Sequence, residues 1–323
     1  MFPKEPLNNP VLPQRADPWV YKHTDGYYYF TASVPEYDRI EIRRSLTLND
    51  LSKAEPLTIW RKPESGLMSA NIWAPEIHYS GGKWYVYFAA AHTSDTIEGI
   101  FDHRMFVLEN EADNPLEGTW VEKGQLHTDW ESFSLDATRF DHKGISYLVW
   151  AQKDPAIEGN SNLYIAELEN PWTIKGPQVM ISTPELEWEI IGFKVNEGAA
   201  VIKHAGRVFI SYSASATDHN YCMGLLAAPE DSDLLDPASW SKSVVPVFQS
   251  NATTGQFGPG HNSFTRSADD SEDIIVYHAR NYTDIVGDPL YDPNRHTRAQ
   301  VFTWNLDGTP NFGFPVPDDR IEE

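Results

Sequence analysis

The sequence predicts an all-β protein folded as a five-bladed β-propeller, and three observations predict it. The first is a unit of strand, Gly turn and aromatic strand, led by an acid or a histidine, that occurs five times. Its copies are "RADPWVYKHTDGYYYFTAS" with Asp17, "WAPEIHYSGGKWYVYFAA" with Glu76, "SLDATRFDHKGISYLVWAQ" with Asp136, "VNEGAAVIKHAGRVFISYSAS" with Glu197, and the looser "GPGHNSFTRSADDSEDIIVYHAR" with His261. The second is their spacing: successive markers lie 59, 60, 61 and 64 residues apart, the signature of a repeat architecture. The third is the absence of any amphipathic helical run of a dozen residues, with Gly, Pro, Asn and Asp separating short strand-like segments.

Each unit supplies the parts that a blade needs. The runs "YYYFTAS", "KWYVYFAAA", "ISYLVWAQ", "RVFISYSAS" and "DIIVYHAR" are apolar and aromatic, as strands buried between stacked sheets are. Five such sheets placed radially leave only short, protected edges. A β-sandwich or a solenoid would also use many short strands, but a sandwich gives no reason for five near-equal spacings. No compositional break marks a linker, so residues 1–323 are expected to form a single domain.

Composition narrows the partners. The chain has 323 residues, is 41% hydrophobic and 22% charged, and carries a net charge of −22. So acidic a protein suits neither a nucleic-acid backbone nor an anionic membrane surface, because both need basic patches. A neutral ligand fits better. No run of about 18 apolar residues occurs, and "MFPKEPLNNPVLPQ" lacks the apolar core of a signal peptide. The single cysteine, Cys222, allows no intrachain disulfide. Together these lead to the expectation of a cytoplasmic protein, in which the sequons at Asn251 and Asn281 are chance matches.

Radial geometry gives the leading acids a purpose. The first strand of each propeller blade lines the central channel, so Asp17, Glu76, Asp136, Glu197 and His261 are expected to converge on the axis. Carboxylates gathered in one pocket repel one another unless they share protons, pair with cations or take part in chemistry.

In order, "RADPWV", "WAPE", "SLDA", "NEG" and "GPGHNSF" resemble the motifs of the family-43 glycoside hydrolases, and the likeness covers nearly the whole chain. The tail "DPNRHTRAQVFTWNLDGTPNFG" resembles the final blade of the exo-acting arabinofuranosidases of that family. Ala199 departs from the pattern, since many members have Pro after the "EG". The resemblance implies a five-bladed propeller that cleaves arabinose or xylose from plant polysaccharides with inversion. Carried over by position, Asp17 is the general base, Glu197 the general acid and Asp136 a third acid that raises and orients Glu197. The resemblance excludes Glu76 from the catalytic three, so it is expected to hold neighbouring polar groups instead.

The resemblance also sets expectations for the surroundings. His261 would sit beside a water-coordinated ion, often calcium, on the propeller axis. Trp73 offers an apolar face for a sugar ring. Arg295 and Arg298 are candidate substrate-binding cations, one of them pointing inward as counter-charge, with Arg295 preferred. The implied activity is release of terminal α-L-arabinofuranose from α-1,5-linked arabino-oligosaccharides. The alternatives are a β-xylosidase, an endo-arabinanase and a non-catalytic propeller lectin. An extra C-terminal domain common in the xylosidases, and a location that polymers cannot reach, count against the first two. No organic cofactor is implied. Linkage preference would reside in loops such as "AHTSDTIEGIFDHRM", and a homo-oligomer is left open.

Overall fold

Twenty strands, linked by turns and four short 3₁₀ segments, account for the secondary structure of residues 6–319, the part of the chain that the computed structural model describes. They pair into five four-stranded antiparallel sheets in sequence order. The first blade holds β1 (Ala16–Lys22), β2 (Tyr28–Ser33), β3 (Arg39–Ser45) and β4 (Leu57–Arg61). The second holds β5 (Ala70–Ser80), β6 (Lys83–Ala91), β7 (Arg104–Asn110) and β8 (Val121–Gln125). In the third are β9 (Ser134–His142), β10 (Ile145–Gln152), β11 (Asn162–Asn170) and β12 (Thr173–Ser182). In the fourth are β13 (Asn196–His204), β14 (Arg207–Ala214), β15 (Cys222–Pro229) and β16 (Ser241–Lys242). The fifth holds β17 (Phe257–Arg266), β18 (Asp273–Arg280), β19 (His296–Trp304) and β20 (Pro310–Asn311).

The five-bladed propeller read from the repeat is the observed fold. Its second strands are the aromatic runs, and they are the most deeply buried: β2 is buried throughout, and β6, β14 and β18 at all but their first residue. Trp84, Trp150 and Tyr277 on these strands are essentially inaccessible to solvent. Fully buried rings such as Phe30 and Phe88 each contribute about 1.5–3 kcal/mol of apolar burial.

The ring closes without exchanging a strand, since all four strands of the last blade come from the C-terminal part of the chain. A clasp of polar contacts holds the seam. Val11 N–H donates to the Thr297 carbonyl at 2.8 Å, and Thr297 N–H returns a bond to Leu12 at 2.9 Å. The Asn9 amide pairs with both backbone groups of Ala299 at 2.9 and 2.8 Å. Among the described residues, no helix is long and apolar enough to cross a membrane.

Candidate active site

The innermost strand of every blade carries a β-bulge at the same register. In the first blade Ala16 pairs with Ser33 and Trp19 with Thr31, so Asp17 and Pro18 oppose one residue. The equivalent pairs are Ala74 and Pro75, Asp136 and Ala137, Gly198 and Ala199, and His261 and Asn262. The first member of each bulge is left-handed, with φ of 55°, 47°, 57°, 58° and 42° in blade order. A left-handed non-glycine residue costs about 1–2 kcal/mol, and its recurrence in a bulge re-aims each side chain toward the axis.

This register corrects the alignment implied by the spacing. Asp17, Asp136 and His261 are the bulge residues of their blades, but Glu76 lies two positions beyond Ala74, and Glu197 one position before Gly198. Gly198 has to be glycine. A Cβ there would stand 3.0 Å from Cγ of His261, on a backbone already at positive φ. The same alignment accounts for Ala199. It fills the second bulge position, held by Pro in the first two blades and by Ala137 in the third, so no proline is required.

Side chains from one blade to the next tie the bulges together. Asp17 N–H donates to His278 Nδ1 at 3.0 Å, Ala74 N–H to Ser33 Oγ at 2.8 Å, Gly198 N–H to Asp136 Oδ2 at 2.9 Å, and His261 N–H to Ser213 Oγ at 2.7 Å. Ser33, Ser213 and His278 occupy one register position on the second strands, facing Ala16, Glu197 and Gly260. The loop before Glu197 is fixed from below. Glu189 is wholly buried, accepts from the Glu185 and Leu186 N–H groups at 2.9 Å and from Tyr212 at 2.8 Å, and pairs with Lys242 at 2.6 Å.

Three acids therefore meet, in different electrostatic states. Asp17 accepts from Ser33 Oγ at 2.5 Å, and its Oδ1 lies 3.3 Å from both Arg295 and His261 Nδ1. Burial alone would raise its pKa. The Arg295 guanidinium outweighs that and holds the carboxyl well below the usual range. His278 is pushed down to about 3 by burial and is neutral, and burial lowers His261 as well. Arg295 is therefore the cation that keeps Asp17 ionised. Glu197 is pushed up to about 7, by burial first and by the charge of Asp17, against the pull of Tyr221, whose hydroxyl donates to its Oε1 at 2.8 Å. Asp136 is raised well above its ordinary value by burial, Glu197 and Asp17. Its Oδ1 is buried without a hydrogen-bond partner.

The other candidates divide. Arg295, 5% exposed, binds Asp17 and donates to Tyr37 Oη at 3.0 Å, so it lines the site. Arg298 does not, contrary to the expectation that counted it as substrate-binding. It grips Asp318 at 2.7 and 2.9 Å and carbonyls of its own blade. Arg298 lies on β19 with its side chain turned to Asp318, while Arg295, just before that strand, reaches the axis. Glu76 is buried, bonds His78 Nε2 at 2.9 Å and is itself pushed well up by burial, as suits a structural acid. Trp73 stacks on His103, with ring centroids 4.0 Å apart, and meets Tyr37 and Phe101 edge-on. Its Nε1 is buried without a partner. Sequence reasoning missed Ser33, Tyr37, Tyr221 and His278. For two of them a signal existed, because Ser33 and His278 occupy matching places in the recurring aromatic runs.

The sequence matches the glycosyl hydrolases family 43 over residues 7–310. The chain belongs to that family. Its relatives include the "Extracellular exo-alpha-(1->5)-L-arabinofuranosidase" of Streptomyces avermitilis, 60% identical over 98% of this chain and 65% of that protein. A protein of the same name from Streptomyces chartreusis is 56% identical over 88% of this chain and 85% of its own length. The crystal structure of an α-L-arabinofuranosidase from Lactobacillus brevis superposes with a TM-score of 0.96 at 61% identity, covering 97% of this chain and 98% of that one. This family-43 chain thus spans about two thirds of the S. avermitilis relative.

The names of the two Streptomyces relatives overturn the cytoplasmic expectation. One unpaired thiol does not select a compartment. Cys222 is buried and its pKa is pushed up to about 12, so it is inert in oxidising surroundings as well as reducing ones. Location therefore does not count against an endo-acting enzyme.

Proposed function

We propose that this family-43 protein is a secreted, inverting exo-α-L-arabinofuranosidase that releases terminal arabinose from α-1,5-linked arabino-oligosaccharides, and that the chain forms one catalytic domain. One observation carries the reading. Two carboxyls in one pocket are driven apart, Asp17 ionised beside Arg295 and Glu197 protonated up to about pH 7. Separation of that kind assigns a base and an acid. Asp17 takes a proton from water on one face of the sugar, and Glu197 delivers one to the leaving oxygen on the other. Asp136 donates no proton in this scheme. It receives the Gly198 N–H, fixing the backbone next to Glu197, and shares the burden of buried acid. Trp73 packs one side of the sugar site. A lectin would have no use for so separated a pair.

The names of the relatives support exo action and the α-1,5 linkage. Arabinotriose is therefore expected to yield arabinose as the sole early product, followed by chromatography of the first turnovers. Arabinobiose or longer fragments appearing first from linear arabinan would overturn the exo assignment.

An ion on the axis belongs to the same proposal. Among the described residues, no group of three or more His, Cys, Asp or Glu is arranged to hold a metal. A hard cation here would therefore be held mainly by water, with the buried His261 as its protein neighbour and Asp17 and Asp136 supplying long-range attraction. Its contribution would be electrostatic. His261→Ala is expected to lower activity and Tm together, and a chelator to weaken the wild type more than the variant. Unchanged activity and Tm in the variant would return His261 to a purely packing role.

A further inference from the structure

A cavity with a volume of about 350 Å³ lies away from the acids, within the range of small-ligand sites. Its lining comes from the later residues of the innermost strands, among them Lys22, Phe140 and Arg266, whereas the acids stand at or near the starts of theirs. At about 3.3 Å per residue, the five residues from Asp17 to Lys22 place this cavity at the opposite mouth of the central channel. The chemistry proposed above makes no use of it.

Two of its polar groups lack partners. Arg139, whose side chain is 7% exposed, spends one terminal nitrogen on Asp141 at 2.6 Å and Ser146 at 2.8 Å, but its Nε is buried without a hydrogen bond. Thr265, also 7% exposed, has a buried Oγ1 with no partner. Orphaned groups of this kind are uncommon in folded proteins. Both line the cavity, whose aromatic residues include Trp19, Tyr21, Phe140 and Phe264.

Charge selects the class of ligand. Each cation in the lining already faces an acid: Lys22 Asp270 at 2.7 Å, Arg139 Asp141, and Arg266 Asp273 at 3.8 Å. No uncompensated charge is left to recruit an ion. The orphaned Nε can only donate, while the threonine hydroxyl can donate or accept. Hydroxyl oxygens match both once a small side-chain rotation brings them to the cavity surface, and the apolar face of a sugar ring suits the aromatic lining. We propose that this cavity is a second carbohydrate site, taking one neutral sugar residue, either free or at a chain end, on the face opposite the acids.

The test is calorimetric titration of Asp17→Asn protein, slowed in turnover, with L-arabinose, D-xylose and arabinobiose. Two sites per chain are expected, and one after Val201→Trp, which fills the cavity from its wall. In the active background Val201→Trp should leave turnover of a nitrophenyl arabinofuranoside unchanged. If that variant fails to fold, Thr265→Val serves, because it removes a hydroxyl that bonds nothing and should weaken the second site by roughly tenfold. Binding of the monosaccharides identifies a free sugar as ligand, and binding of arabinobiose alone identifies a chain end. One site per chain in both proteins, or preferential filling of the cavity by sulfate or glucuronate, overturns the proposal while leaving the hydrolase reading to the arabinotriose assay.

Discussion

Glu197→Gln is expected to lose nearly all activity on arabinotriose while keeping much more of it on a nitrophenyl arabinofuranoside, whereas Asp17→Asn loses activity on both. A general acid matters in proportion to how badly the leaving oxygen needs its proton. A sugar alkoxide needs it, and a nitrophenolate departs unaided. Water attack requires the base whatever leaves. Each role is worth about 10²–10⁴-fold, so the contrast is wide. The wild-type rate should fall as pH rises through about 7, where Glu197 loses its proton, and should persist into acid because Asp17 stays ionised there. Asp136→Asn is expected to be intermediate. It removes the carboxylate that accepts the Gly198 N–H and fixes the backbone beside Glu197, so the acid is held less firmly in place and the loss falls mainly on kcat. Equal losses for Glu197→Gln on the two substrates would falsify its acid role. A first-formed sugar of retained configuration would end the inverting scheme.

Arg295→Met is expected to be as damaging, through a residue that transfers no proton. It removes the only cation touching Asp17 among the described residues and leaves a buried carboxyl with neutral histidines for company. Breaking a buried ion pair from one side costs about 3–5 kcal/mol, a fall in Tm on the order of 10 °C for a chain of this size. The sign with pH follows from the direction of the shift. Asp17 is held below its ordinary value of 3.8, so the stability it supplies is present above that pH and is lost as pH falls toward its native value. The gap in Tm between wild type and variant should therefore be widest at neutral pH and should narrow in acid. Activity should drop by about 10²-fold or more, with the acidic limb of the pH profile moving up as Asp17 becomes easier to protonate. A Tm gap independent of pH would mean that Arg295 acts through packing alone.

The period near sixty was enough to count the blades, because one structural unit repeated along a line needs no knowledge of its partners. It also brought Asp17, Asp136 and Glu197 to one place. Register was harder. Spacing treats Glu76, Glu197 and Asp17 as equivalents, while the bulges align Ala74 and Gly198 with Asp17, and a one-residue offset in a strand turns a side chain to the other face. The pairs Asp-Pro, Ala-Pro, Asp-Ala, Gly-Ala and His-Asn mark those bulges, but they share no residue type that a reader of one chain would single out. Arg298 shows the converse difficulty: its motif is intact, yet its side chain turns to Asp318. Tyr37 and Tyr221 come from loops whose path over the acids depends on tertiary contacts such as Tyr37 with Arg295.

The clasp at the seam has a consequence for how catalysis and folding are linked. Among its partners, Asp17 belongs to the first blade, while His261, His278 and Arg295 all come from the last, more than 240 residues away along the chain. The proposed base is therefore assembled across the one junction of the ring that no covalent linker spans. Neighbouring blades can pair and pack during synthesis, but the base stays without its counter-charge until the two ends of the polypeptide meet. Such long-range closure is the entropically slow part of assembly. Catalytic competence is accordingly the last property the chain acquires, and the first it forfeits when the seam parts.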